Sequence, residues 1–164
     1  MELTHDRVRE VFDYHQDGYL VWKKKRPGIK KSLIAASFDK STGYVRCYVD
    51  GKHYRAHRLI WFWHYAEWPL FDIDHIDNDK TNNRIENLRI ANDSQNCANV
   101  GLSKRNKSGY KGVCWNEWNK KWCASIRINK KLKHLGYFVD AKDAAIEYDK
   151  AAKKLKGEFA KTNF

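Results

Sequence analysis

The chain has 164 residues and a formal net charge of +12, enough length for one ordinary domain or two to three small modules. Apolar residues at 42% and aromatics at 14% can fill packed cores, which excludes a disordered chain, and no apolar run reaches the ~18 residues that a membrane span requires. The opening MELTHDRVRE has no basic stretch leading into an apolar one, so a soluble intracellular protein without a signal peptide is expected.

The charge calls for a polyanionic partner. With Trp and Tyr interleaved among Lys and Arg, double-stranded DNA is the expected one, with no membrane and no small-molecule cofactor. None of the four cysteines, Cys47, Cys97, Cys114 and Cys123, forms a C-x-x-C pair, so free thiols are expected rather than a cysteine zinc site.

Residues 1–56 read as a β-rich basic region. GYLVW is a short β-prone run, and GYVRCYVDGKHYRAHR has two alternating arms about Asp50-Gly51, the signature of a hairpin. Lys23, Lys24, Lys25, Arg26, Lys30 and Lys31 make the densest basic run, with Lys24 and Arg26 as candidate phosphate contacts. HRLIWFWHYAEW predicts a short buried helix on which His57 and His64 are packing or capping residues.

DIDHIDNDKTNNRIENLRI is acidic where the chain is otherwise basic: Asp72, Asp74, Asp77 and Asp79 surround one histidine, His75. Like charges this close cost free energy unless something offsets them. Asp74 and His75 are expected at a strand end, LRI in a second strand, and ANDSQNCAN as a helix start capped by Asn92 or Asp93. A hairpin folded onto a helix would bring Asp74, His75 and Asn96 to one point. Asp and Asn supply hard oxygens suited to Mg²⁺ or Mn²⁺, and a neutral imidazole beside such an ion can take a proton from water. Phosphodiester hydrolysis needs that combination. Asp72, Asp77, Asp79, Asn82 and Asn83 read as loop and turn residues.

The pattern D-H-x-D, N-N-x-x-x-N-L-R and a final Asn, from His57 to Asn99, resembles the HNH endonuclease motif of the ββα-metal fold, and within it the phage homing-endonuclease branch in which asparagine replaces the last histidine. The resemblance implies His75 as general base, Asp74 and Asn96 as metal ligands, and Asn87 as a brace for the loop and the histidine backbone. Asparagine at position 96 favours Mg²⁺ over zinc or nickel. The nuclease core is expected over 57–100, and a basic linker, GLSKRNK, over 101–107.

In the last third, YKGVCW, KWCASIRI and KHLGYF are strand-like. Trp122, Ala124, Ile126 and Ile128 alternate with Cys123, Ser125 and Arg127, and a helix is predicted from about Ala141 to Leu155 between Asp140 and Gly157. Residues 108–164 resemble the DNA-binding domain of plant ethylene-response factors: Y-K-G-V, A-S-I-R, L-G-Y-F, A-A-x-x-Y-D-x-A-A and the closing N-F all match. That resemblance implies a three-stranded sheet in the major groove, with Lys111, Trp118, Arg127 and His134 at DNA-contacting positions. Cys114, Ser125, Leu132 and His134 depart from the plant residues, so the docking mode carries over but the target sequence does not. Arg127 suits a guanine, while Lys120, Lys121, Lys130, Lys131 and Lys133 suit phosphate.

The reading is an α+β protein: a ββα-metal core followed by a three-stranded antiparallel sheet on one helix. It would be a homing-type, metal-dependent DNA endonuclease, monomer or weak dimer, in the host cytoplasm if phage-encoded. The alternative is a non-catalytic regulator built on a degenerate nuclease fold.

Overall fold

The computed structural model describes residues 2–24, 33–103, 105–128 and 131–164, in an α+β fold that divides into two compact units, 1–91 and 92–164. Arg26, with Lys25, Lys30, Lys31 and Lys130, lies outside the described residues. The boundary expected at 56/57 falls inside the first unit, and the expected core 57–100 runs across the division.

In the first unit α1 (His5–Val11) starts where the Thr4 hydroxyl accepts the Arg7 N–H, and it leads directly into the hairpin β1 (Phe12–His15) and β2 (Tyr19–Trp22). Alternation buries Phe12, Leu20 and Trp22 on one side. A second sheet has the order β3 (Ser37–Asp39), β4 (Tyr44–Val49), β5 (Lys52–Arg55). Its β4–β5 turn carries Asp50 at φ 47° and Gly51 at φ 81°, so both central residues are left-handed, as the tightest hairpin turns require.

The helix α2 (Ala56–Tyr65) buries Leu59, Ile60 and Phe62. The hairpin β6 (Asp72–His75) and β7 (Leu88–Ala91) adds Ile73 and Leu88 to the same core, which also takes Leu3, Val8, Phe12, Leu20, Trp22 and Val49. The N-terminal region and the histidine hairpin therefore share one hydrophobic core.

The second unit opens with α3 (Asp93–Asn99), whose Asn92 and Gln95 form a reciprocal capping box. Three antiparallel strands follow in the order β10 (Lys131–Phe138), β9 (Lys121–Ile128), β8 (Val113–Asn116), backed by α4 (Ala141–Lys156). Asp140 caps α4 and Gly157 ends it. Ala144, Ala145 and Ala152 are fully buried against Val113, Ala124 and Ile126, so small side chains let the helix lie close on the sheet. A bulge between His134 and Gly136 takes up one extra residue, and Leu135 packs against the core.

Gly112, at φ +76°, lies so close to Tyr148 that a Cβ would enter its ring. Asp149 is buried and accepts hydrogen bonds from Asn163 N, Asn163 Nδ2 and Phe164 N, which fastens the C-terminal residues to α4. No helix among the described residues is long and apolar enough to cross a membrane.

Candidate nuclease site and nucleic-acid face

Along β6 three successive residues are buried, Ile73, Asp74 and His75, after an exposed Asp72, so the strand is covered on both sides at its C-terminal end. Asp74 and His75 point to opposite sides of it. Asp74 is 5% exposed and pairs across the hairpin with Arg89, whose Nη2 and Nε reach Asp74 Oδ2 at 2.9 and 3.0 Å. A buried carboxylate needs such a partner, and the guanidinium also fixes its orientation.

His75, also 5% exposed, lies opposite Leu88 and places its Nε2 2.9 Å from Asn83 Oδ1. Its ring meets His57 edge-on at 5.1 Å, with Tyr44 at 6.1 Å. Lys80 stands over the Tyr44 ring at 4.4 Å and donates to Thr42 O. His57 is 3% exposed and its Nδ1 has no hydrogen-bond partner among the described residues. Burial first, then the neighbouring His75, Arg55 and Arg58, push its imidazole down to about 3, so His57 is neutral near pH 7.

The loop 76–87 is held by its own polar side chains. Asn87 donates from Nδ2 to Asp77 Oδ1 (2.9 Å) and Asn82 O (2.8 Å), and its Oδ1 accepts the Asp77 N–H (3.1 Å). Its backbone oxygen accepts the N–H of Ile76, the residue after the histidine. Asp77 Oδ2 accepts from Asn82 Nδ2 at 2.6 Å, and Asp79 Oδ1 accepts from the Thr81 N–H and hydroxyl. Burial alone would raise the Asp77 carboxyl, but Asn87, Asn82 and the Asp79 N–H outweigh it and hold it below the usual range. Thr81 does the same for Asp79. These bonds offset the crowding of carboxylates, and they make Asp77 and Asp79 turn-formers here.

Two residues gain weight over their sequence reading. Asn83 reads as a turn-maker, yet it is 2% exposed and its side chain meets the histidine. Tyr44 lies on a strand far from the motif in sequence, and no periodicity points to it.

Asp74 supplies a buried, oriented carboxylate of the hard-oxygen type that suits Mg²⁺ or Mn²⁺. Among the described residues no three or more His, Cys, Asp or Glu side chains are grouped to hold a metal. Mg²⁺ keeps several waters and takes further oxygens from phosphate, so it can be held by as few as one or two carboxylates. Asn96 belongs to α3, in the second unit.

On the second unit's sheet, the face away from α4 carries Cys114, Cys123, Ser125, Arg127, Leu132, His134 and Tyr137. Arg127 and His134 are exposed, and Trp118, in the β8–β9 turn, is 96% exposed. Lys133 pairs with Ile126 and so takes the opposite parity, exposed on the outer strand. Lys111 departs from the expected DNA contact. Its ammonium turns inward to Ala98 O (2.7 Å) and to Val100 O, and burial, reinforced by Lys156 and Lys161, lowers it to about 8. It satisfies carbonyls at the end of α3, where a helix leaves such groups unpaired. Lys24, exposed, follows β2 in the first unit.

Residues 54–98 match the HNH endonuclease family, so this segment is an HNH nuclease domain. Over 107 residues the chain is 30% identical to protein 3.8 of Escherichia phage T7, covering 63% of this chain and 88% of that protein. It belongs to the family of that phage protein. A protein of Acanthamoeba polyphaga mimivirus named as an uncharacterized HNH endonuclease is 35% identical over 91 residues, which are 56% of this chain and 46% of that protein.

Proposed function

We propose that the protein is a metal-dependent, homing-type endonuclease acting on double-stranded DNA, with His75 as general base and Asp74 and Asn96 as ligands of Mg²⁺ or Mn²⁺. The observation that carries this reading is the buried Asp74–His75 pair on β6, backed by a hydrogen-bonded loop inside the segment that matches the HNH family. The pairing of Asn96 with Asp74 rests on the order of residues in the motif.

His75 would take a proton from a water, which attacks phosphorus in line with the departing 3′ oxygen. The products would be a 5′-phosphate and a 3′-hydroxyl. Bound to Asp74 and Asn96, a divalent cation would supply positive charge to the phosphate and the leaving oxygen. Asn87 keeps the strand end carrying His75 closed onto the loop, because it bonds both Ile76 N and Asp77 N. Arg89 holds the Asp74 carboxylate in place from the neighbouring strand.

Selectivity would come from the second unit, with Arg127 reading a base, His134 near it on the same face, Trp118 touching DNA from the β8–β9 turn, and Lys133 on phosphate. Lys24 and Arg26 would add phosphate contacts from the first unit. One core cuts one strand, so a monomer should nick, and a double-strand break needs a second subunit or a second encounter.

The test is supercoiled plasmid with the protein in Mg²⁺, in Mn²⁺ and in EDTA. Nicked circles with either ion and intact plasmid in EDTA are expected. Tight binding without cleavage in either ion would overturn the nuclease reading in favour of a non-catalytic regulator.

A further inference from the structure

The side chain of Asn83 has a forced orientation. Its Nδ2 donates to Thr81 O at 3.2 Å, and a carbonyl oxygen can only accept, so the amide nitrogen must face Thr81. Its Oδ1 is thereby turned to His75 Nε2, 2.9 Å away. An amide oxygen also only accepts, so Nε2 must carry the hydrogen. A neutral imidazole has one N–H, which puts the basic lone pair on Nδ1.

Asn83 is itself held by the N-terminal hairpin. Gly18, at φ +86° in the β1–β2 turn, abuts the chain at Asn83 and Arg84, and a Cβ there would fall 2.6 Å from the Asn83 carbonyl carbon and closer still to Arg84 N. Tyr14 Oη accepts the Ile85 N–H at 3.0 Å, and Asp17 pairs with Arg84 at 3.0 Å. Three contacts from β1 and the β1–β2 turn therefore hold the chain at and just after the residue that meets the histidine.

We propose that Asn83 is a positioning residue that fixes His75 as its Nε2–H tautomer, and that the β1–β2 turn at Gly18 is the abutment that holds Asn83 in place. The inference deepens the nuclease reading and rests on His75 being the base. It gives residues of the N-terminal region, which lie outside the motif, a part in the chemistry. A histidine of the other tautomer would present an N–H where a proton must be taken up.

The test uses the full-length, metal-free protein labelled with ¹⁵N-histidine, at a pH where imidazoles are neutral, with long-range ¹H–¹⁵N correlation spectra reading each tautomer. His75 in the native chain should show a protonated Nε2 and an unprotonated Nδ1. Asn83→Leu should lose that pure pattern, Asn83→Asp should keep it because a carboxylate still accepts, and Gly18→Ala should move it part of the way. Plasmid nicking in Mg²⁺ should fall by about 10–100-fold in Asn83→Leu, the usual cost of losing a group that orients a reacting one.

A native chain with Nδ1 protonated overturns the inference, with no variant needed. So does an Asn83→Leu protein whose His75 pattern is unchanged, whatever its activity. If the tautomer shifts in Asn83→Leu while nicking stays native, Asn83's hold on the ring stands, and the assignment of His75 as base is what fails.

Discussion

The loop 76–87 and the outer face of β8–β10 are both polar, and they are built in opposite ways. In the loop, the side chains of Asn82, Asn83, Asn87, Asp77 and Asp79 are tied up in hydrogen bonds to one another, to His75 and Thr81, or to the backbone. On the sheet, Arg127 extends into solvent with the exposed Leu132 opposite it on β10, and Trp118 is exposed in the β8–β9 turn. The first arrangement spends its donors and acceptors on rigidity, which suits a group that must react in one geometry. The second keeps long side chains accessible, which suits contact with a surface supplied from outside. A substitution in the first should therefore show in rate, and one in the second in affinity.

The sharpest way to break that contrast is His75→Ala. Loss of a general base costs about 10²–10⁴-fold, so plasmid nicking in Mg²⁺ should fall by about that range. DNA affinity by fluorescence anisotropy should stay within a few-fold. A large loss of affinity would show that the buried pair serves binding instead.

Gly112→Ala should have the next largest effect, on stability. A Cβ at Gly112 would lie 2.8 Å from Tyr148 Cγ and closer to the ring edge, at a φ of +76° that L side chains rarely adopt. Overpacking of this kind costs about 1–3 kcal/mol and left-handed strain adds to it, so the urea midpoint of the second unit should drop clearly. The first unit, read from its own backbone resonances, should unfold as in the native chain.

Arg127→Ala should weaken binding to a preferred site by about 1–3 kcal/mol and relax the preference at one base pair. Lys133→Ala should weaken binding to all sequences alike and reduce the log–log salt slope by about 0.9. Binding competitions over randomised duplexes at several salt concentrations separate the two. Equal effects would mean that Arg127, like Lys133, grips backbone alone.

Much of the architecture was legible because it follows from local rules. Asp50-Gly51 announces its hairpin, Asn92 its helix, and the alternation in KWCASIRI its buried face. The helix α1 was not legible, since in HDRVREV only Val8 is buried and no apolar period forms. Residues 101–107 read as a separator by composition. In the structure Asn106 bonds Tyr110 O and Lys111 reaches back to Ala98 and Val100, so α3 belongs with the sheet that follows. The motif led to Asp74 and His75, but their surroundings depend on contacts between residues distant in sequence. Gly18 against Asn83 and Tyr14 on Ile85 leave no periodic trace.

The two units should also differ in how their stability depends on pH. His57 is neutral in the folded first unit, pushed down to about 3 by burial and then by His75, Arg55 and Arg58, with the Tyr44 ring against it. An unfolded histidine titrates near the ordinary 6.5. Below about 6.5 the unfolded chain therefore binds a proton that the folded unit refuses, and stability falls with pH until about 3. At pH 5.5 the loss from this one group is about 1 kcal/mol. His64, lowered mainly by burial and then by Arg9, acts in the same sense. The carboxylates held low in this unit, Asp39, Asp77 and Asp79, lose their contribution only as the pH falls below about 4, so the interval from 6.5 to 4.5 belongs to the histidines. In the second unit the comparable group is Lys111, lowered to about 8, whose cost appears as the pH falls from about 10.5 to 8 and is constant below. Urea titrations read from each unit's own resonances should show the first unit losing stability between pH 6.5 and 4.5 and the second nearly level there. His57→Leu should flatten the first unit's slope, and Lys111→Met should leave it unchanged. A His57→Leu protein with the native slope would mean that His57 is protonated in the folded unit.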